Sequence, residues 1–241
     1  MYMANDSSHY SDFVELGINS VIVKKHLQKN VEVARQLGME IYYRVLNGDI
    51  ATGNTERVDK FLLELGGNGI FIDEPLIKVK RDDYKLSDAK WLARHVRYLN
   101  KPIMITSPTF KALREFKYLS VGWAPDFYPV RPLMNHYWWQ KRLIRKALKY
   151  HNTIEPVVQT HPRWEYLEQR NPDWLSKLVS TLPSQAGLYE RPKVKQVRKQ
   201  IKVCSQKGVK RIWFFPGDRP DHPLDAWTPE RKEYFKKILA R

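Results

Sequence analysis

QLGMEIYYRV, residues 36–45, is the stretch on which the fold turns. A helical segment closes at Leu37, Gly38 follows where a left-handed C-cap is wanted, and a run rich in β-branched and aromatic residues begins almost at once. The same order recurs in ELGINSVIV (15–23) and QKGVKRIWFF (206–215). One unit, helix end to glycine to buried strand, is therefore repeated along the chain, with Gly17, Gly38, Gly66 and Gly208 marking its junctions.

Working outward from these junctions, strands are expected at INSVIV (18–23), MEIYYRV (39–45), NGIFID (68–73), PIMIT (102–106), IEPVVQ (154–159) and RIWFF (211–215). MYMA at the start and YLSVGWAP (118–125) supply two weaker ones. Helical periodicity fills 27–37, 54–65, 87–99, 135–150, 193–206 and 228–240. Eight β-strand and helix units in 241 residues match an α/β fold of the (β/α)8 TIM-barrel type, for which about 250 residues is typical. A doubly wound open sheet would announce itself by a glycine-rich phosphate loop after its first strand, and no such loop occurs. Without a linker or a second core, residues 1–241 read as one domain, with 160–192 as a loop and helix insertion over the barrel mouth. The first strand begins at Met1, so that stave is either trimmed or incomplete.

Composition narrows the function classes. Apolar residue types make up 42% of the chain, enough for a sizeable core. No run approaches the roughly 18 apolar residues of a membrane span, and MYMANDSSHY lacks the parts of a signal peptide, so a soluble protein is expected and its compartment stays open. The single cysteine, Cys204, excludes an internal disulfide and reads as a small buried hydrophobe on a helix stripe. Forty-two Lys and Arg against 26 Asp and Glu leave a net charge of +16. Between Arg131 and Arg211 there are 18 basic and 5 acidic residues, an excess that would attract phosphates, anionic glycans or acidic lipids unless it is simply solvated helix surface.

In a barrel the active site lies where the strands end at their C-terminal side. Those ends carry Asn5 and Asp6, Lys24, Arg44, Asp73 and Glu74, Thr106 and Ser107, Asp126 and Tyr128, Gln159 and His161, and Phe215 and Asp218. The sharpest is GIFIDEP (69–75), where an apolar run stops at two carboxylates. Alternation of strand side chains would send only one of Asp73 and Glu74 into the mouth unless the strand end is irregular. The pair either does proton chemistry at a partly desolvated rim, or forms salt bridges and caps the next segment. Aromatic residues such as Trp123 near strand ends suit sugar faces and nucleobases alike. Trp213, inside RIWFF, suits core packing as well.

The ordered set IDEP (72–75), PDFYPV (125–130), PVVQTHPRW (156–164) and GVKRIWFFPGD (208–218) resembles a broad group of glycoside-hydrolase-like TIM barrels with a D-E-P fourth strand. A more distant likeness is to chitinase-type barrels, of whose D-G-x-D-x-D-x-E strand NGIFIDEP keeps the glycine and Asp73. The resemblance implies Glu74 as general acid, with Asp73 orienting the glycosidic oxygen or a neighbouring hydroxyl. It also implies a second carboxylate, at about 5–5.5 Å as nucleophile or about 6.5–9.5 Å as base. Strand seven ends in Gln159 where such barrels can carry Glu, so Asp126 is the leading partner, with Asp6 and Asp218 in reserve. Tyr128 would hydrogen-bond the sugar or the nucleophile, and Arg44, Gln159 and His161 would bind hydroxyl or carboxylate groups.

Three readings stay open. The first is a glycosidase acting by carboxylate acid/base catalysis on a carbohydrate, with an anionic polysaccharide suggested by the charge. The second is a non-catalytic glycan-binding or structural barrel, and the third a nucleic-acid-binding protein, which is not favoured. The seven histidines show no H-x-H or H-E-x-x-H spacing, so no metal is expected, and no sequence signature asks for an organic cofactor.

Overall fold

The computed structural model describes residues 2–3, 6–106, 110–116, 122–124, 126–127, 145, 157–159, 193–207, 209, 211–215 and 227–240. Its strands are β1 (Tyr2–Met3), β2 (Ser20–Val23), β3 (Glu40–Arg44), β4 (Gly69–Ile72), β5 (Ile103–Thr106), β6 (Gly122–Ala124), β7 (Asp126–Phe127), β8 (Val157–Gln159) and β9 (Trp213–Phe215). Every pairing among them is parallel. The hydrogen-bonded order runs β6-β5-β4-β3-β2-β1-β9-β8-β7. Only one residue separates β6 from β7, so a single run of chain pairs with β5 on one side and β8 on the other. That shared stave closes the ring, and the fold is a TIM barrel of eight staves. Short as it is, β1 pairs with both β2 and β9.

Helices α1 (Tyr10–Glu15), α2 (Leu27–Gln36), α3 (Asn47–Thr52), α4 (Glu56–Asp59), α5 (Pro75–Lys80), α6 (Leu86–Tyr98), α7 (Phe110–Glu115), α8 (Val194–Ser205) and α9 (Pro229–Leu239) lie between or after the strands. Periodicity anticipates α2, α6, α8 and α9 to within a few residues. The segment expected at 54–65 forms as α4 followed by a π turn at Lys60–Glu64. The short helices α1, α3, α5 and α7 were not anticipated, because six residues hold less than two turns and show no readable period. The insertion at 160–192 and most of the expected helix at 135–150 lie outside the described residues. Gly17 and Gly38 take the left-handed conformation at their helix ends, φ 75° and 66°.

Strand alternation separates two apolar layers. Ile22, Tyr42, Phe71, Met104 and Trp213 form a small cluster inside the ring. Their strand neighbours Val21, Val23, Ile41, Tyr43, Ile70, Ile72, Ile103, Ile105 and Phe214 belong to the larger core beneath the helices. Trp213 is 1% exposed and packs edge-on against Tyr42, so it fills the barrel interior and is no mouth platform. Trp227 instead sits in the outer layer against Phe13 and Phe235, with its indole N–H donating to Asp12. Cys204 is fully buried on α8, as the helix stripe implies.

Polar side chains seal the N-terminal end of the ring. Arg211 meets Glu40 at 2.8 Å and donates to the Tyr42 hydroxyl at 2.9 Å, while Ser20 donates to Glu40. In this fold such a cluster on the lower face serves stability.

Candidate functional site

The inward rows of β3, β4 and β5 continue past their buried residues to the C-terminal end of the ring. Tyr42 leads to Arg44, Phe71 to Asp73, and Met104 to Thr106, each two residues on and therefore on the same face. The register agrees, since Arg44 pairs with Phe71 and Met104 with Phe71. Three neighbouring staves thus deliver a guanidinium, a carboxylate and a hydroxyl to one place.

These groups bond to each other. Arg44 donates to Asp73 Oδ2 at 2.5 Å, and the Thr106 hydroxyl donates to Asp73 Oδ1 at 2.7 Å. The side chains of Arg44 and Asp73 are only 16% and 21% exposed, so the pair is largely withdrawn from water without being sealed from it. The Thr106 oxygen in turn accepts the Glu74 backbone N–H at 2.8 Å. One hydroxyl therefore ties together both members of the adjacent acidic pair.

Glu74 lies in the left-handed region at φ 43°, ψ 51°, directly before α5. Pro75 disfavours the right-handed helical conformation at the residue before it, and for a residue with a Cβ the left-handed one costs about 1–2 kcal/mol. The irregular strand end that would free the second acid from simple alternation is thus present, held by Thr106. Glu74 is partly buried, and its side chain makes no capping bond to α5.

Tyr84 was not singled out in the sequence, where nothing in DDYK distinguishes it. It is 6% exposed beside the acidic pair, and its hydroxyl has no hydrogen-bond partner among the described residues. Burial first, then the charges of Asp73 and Asp83, push the phenol well above its ordinary range and keep it neutral. Asp83 itself accepts from Asn47 at 3.0 Å.

The far side of the ring is defined by backbone register. Asp126 pairs with Val157, which pairs with Trp213, an interior residue. Gln159 stands opposite Phe215, two residues further toward the mouth. Asp126 is on the stave two places round from Asp73, and Gln159 on the next. Trp123 pairs with Ile105, a residue whose neighbours are those of the outer core. Asp6 is exposed and caps the 3-10 turn Ser7–His9 through Ser8 N–H at 3.0 Å, which holds its carboxyl below the ordinary range despite a small opposing desolvation. Tyr128, His161 and Asp218 lie outside the described residues. Among the described residues no group of three or more His, Cys, Asp and Glu is placed to hold a metal ion. None of their helices is long and apolar enough to cross a membrane.

No protein-family model matches the chain, and no curated protein matches it in sequence. Solved structures do match it in shape. A GH18 chitinase from Pseudoalteromonas aurantia aligns over 98% of this chain and 97% of its own, with a TM-score of 0.60 at 10% identity. A GH99 endo-alpha-mannosidase from Bacteroides thetaiotaomicron aligns over 87% and 66%, with a TM-score of 0.56 at 11% identity. The coenzyme F420 dependent tetrahydromethanopterin reductase from Methanopyrus kandleri aligns over 100% and 96%, with a TM-score of 0.60 at 7% identity. The chain shares the TIM-barrel fold with glycoside hydrolases and with enzymes of quite different chemistry, and at these identities the likeness reaches the fold alone.

Proposed function

We propose that this barrel hydrolyses a glycosidic bond, with Glu74 as general acid and Asp126 as its partner. The observation that carries the reading is the end of β4, where two consecutive acids leave the ring with Asp73 fixed by Arg44 and Thr106 and Glu74 turned out of regular strand geometry. Glu74 gives its proton to the leaving glycosidic oxygen. Asp126 either attacks the anomeric carbon or takes a proton from the water that does, so that one water is added across the broken bond. Asp73, whose two oxygens both accept hydrogen bonds, orients the reacting sugar. Gln159, Arg44 and, beyond the described residues, Tyr128 and His161 bind its hydroxyls. Anionic polysaccharides are the substrate class that the +16 charge supports best.

The test is a panel of neutral and acidic polysaccharides assayed for new reducing ends, with parent protein, Glu74→Gln and Asp126→Asn. Removing a general acid is expected to cost about 10²–10⁴ in turnover. A substrate on which Glu74→Gln keeps full activity refutes the assignment.

A second reading has its own support. Asp73 is committed to an internal ion pair, and strand seven ends in Gln159, as suits a barrel that binds a glycan without cutting it. Glycan binding by the parent and by Glu74→Gln alike, with no product from any member of the panel, decides for that reading.

A further inference from the structure

The charge on α8 is arranged differently from that on the other described long helices. The described helices of ten or more residues are α2, α6, α8 and α9, and three of them mix signs, with Glu32 in α2, Asp88 in α6, and Glu230 and Glu233 in α9. In α8 the sequence VKQVRKQIKVCS holds Lys195, Arg198, Lys199 and Lys202 and no acid. All four are exposed, and so is Lys193 at the N-cap. The four within the helix, Lys195, Arg198, Lys199 and Lys202, recur at three- and four-residue steps, which places them on one face at intervals of about 5 Å along the axis. The opposite face is buried through Val197, Gln200, Val203 and Cys204. The other described long helices carry both signs, whereas this face is uniformly cationic.

Its position matters as much as its sign. A helix preceding β9 in a parallel ring runs against the strands, so the Lys193 end lies toward the mouth and Lys202 toward the lower face. From Lys195 to Lys202 the cations cover about 10 Å of outer wall. Arg198 also donates to the Ala240 carbonyl, which brings the C-terminal turn of α9 and its exposed Lys236 and Lys237 to the same side. No aromatic residue lies on α8 on which a base could stack, so the face lacks the second ingredient of single-strand nucleic-acid sites.

We propose that the outer face of α8 is an exosite for an anionic polysaccharide, holding the carboxylates of a polyuronate chain beside the barrel mouth. The substrate class rests on the glycan reading of the mouth, but the exosite is separate from the catalytic residues. The experiment measures binding of polygalacturonate, dextran of similar length, a duplex DNA and anionic phospholipid vesicles to the full chain and to the quadruple variant Lys195→Gln/Arg198→Gln/Lys199→Gln/Lys202→Gln. Polygalacturonate should bind more tightly than every other probe and weaken with added salt. The variant should lose about 10-fold in affinity at low ionic strength, show a flatter salt dependence, and keep its melting temperature. Equal binding of dextran, unchanged polygalacturonate affinity in the variant, or tighter binding of DNA or vesicles overturns the proposal. Because binding is read without turnover, polygalacturonate capture with no product from any member of the polysaccharide panel sinks the hydrolase reading and leaves the exosite standing.

Discussion

Replacing Thr106 by Val tests whether one hydroxyl organises the end of β4. The two side chains have nearly the same shape, and Thr106 is 1% exposed, so little but hydrogen bonding changes. Asp73 Oδ1 loses its donor at 2.7 Å and the Glu74 N–H loses its acceptor at 2.8 Å. A hydrogen bond to a charged group is worth about 1.5–3 kcal/mol and a neutral one about 0.5–1.5 kcal/mol. Asp73 is 21% exposed, so water can replace part of the first loss, and the net cost comes to about 2–3 kcal/mol. For a chain of this size that lowers the melting temperature by about 4–12 °C. Thr106→Ser is the control, since it keeps the hydroxyl and gives up a methyl group, for about 1 kcal/mol. Thermal and urea unfolding followed by tryptophan fluorescence measure both variants. A Val variant melting within a degree of the parent, or a Ser variant as damaged as the Val, would refute the hydroxyl's role as the tie between the acids.

Three further outcomes follow from other parts of the ring. Gly69→Ala places a Cβ 2.6 Å from the Pro102 carbonyl oxygen and 2.9 Å from the Tyr42 ring, and should destabilise by about 1–3 kcal/mol in urea unfolding; an unchanged midpoint contradicts the close approach. Asp12 is held below its ordinary range by hydrogen bonds from Lys232 and Trp227, against a small desolvation, so its contribution is present above about pH 4 and is lost as pH falls through the lower folded value. Asp12→Asn should therefore be less stable than the parent at pH 7, with the difference shrinking toward pH 2, and a difference that stays constant across that range argues against the linkage. Glu74→Gly removes the cost of a left-handed glutamate and should leave stability equal to the parent or up to about 1 kcal/mol higher, while abolishing any glycosidase activity; a large loss of stability would mean that the glutamate serves the fold.

The eight staves were legible because a parallel ring buried on both faces demands apolar runs, and the helix-glycine-strand junctions punctuate them. The reading of 118–125 as a strand was close, yet it missed that the stave continues through Asp126 and Phe127 and changes partner on the way. That switch is a property of closure, invisible in any local pattern. At the candidate site, Asp73, Glu74 and Arg44 were marked because charge abruptly replaces apolar residues at strand ends. Their bonding to one another was not legible, because it depends on which strand residues share the inward face at the same height. Thr106 was marked as a strand end and its part as a tie was missed, since a threonine in a strand is ordinary. Tyr84 carried no signal at all, being a loop residue whose burial is set by packing alone.

The network also bears on how the work is divided between the two acids. Asp73 accepts from a guanidinium on one oxygen and from a hydroxyl on the other, and the single Thr106 proton is committed to it. A carboxylate that accepts from a donor on each oxygen has its position and plane fixed. It is well suited to staying fixed while something beside it moves. Glu74 is bonded to the same hydroxyl through its backbone amide. On the proposed reading Asp73, its carboxyl held by Arg44 and Thr106, orients the sugar, and Glu74 delivers the proton. Arg44→Met separates the two roles, because it loosens Asp73 and leaves the Glu74 amide bonded to Thr106. Turnover should fall by up to about 10²-fold, the cost of a misplaced positioning group, and by less than Glu74→Gln loses; a variant that turns over like the parent, or one as inactive as Glu74→Gln, would refute this division of roles.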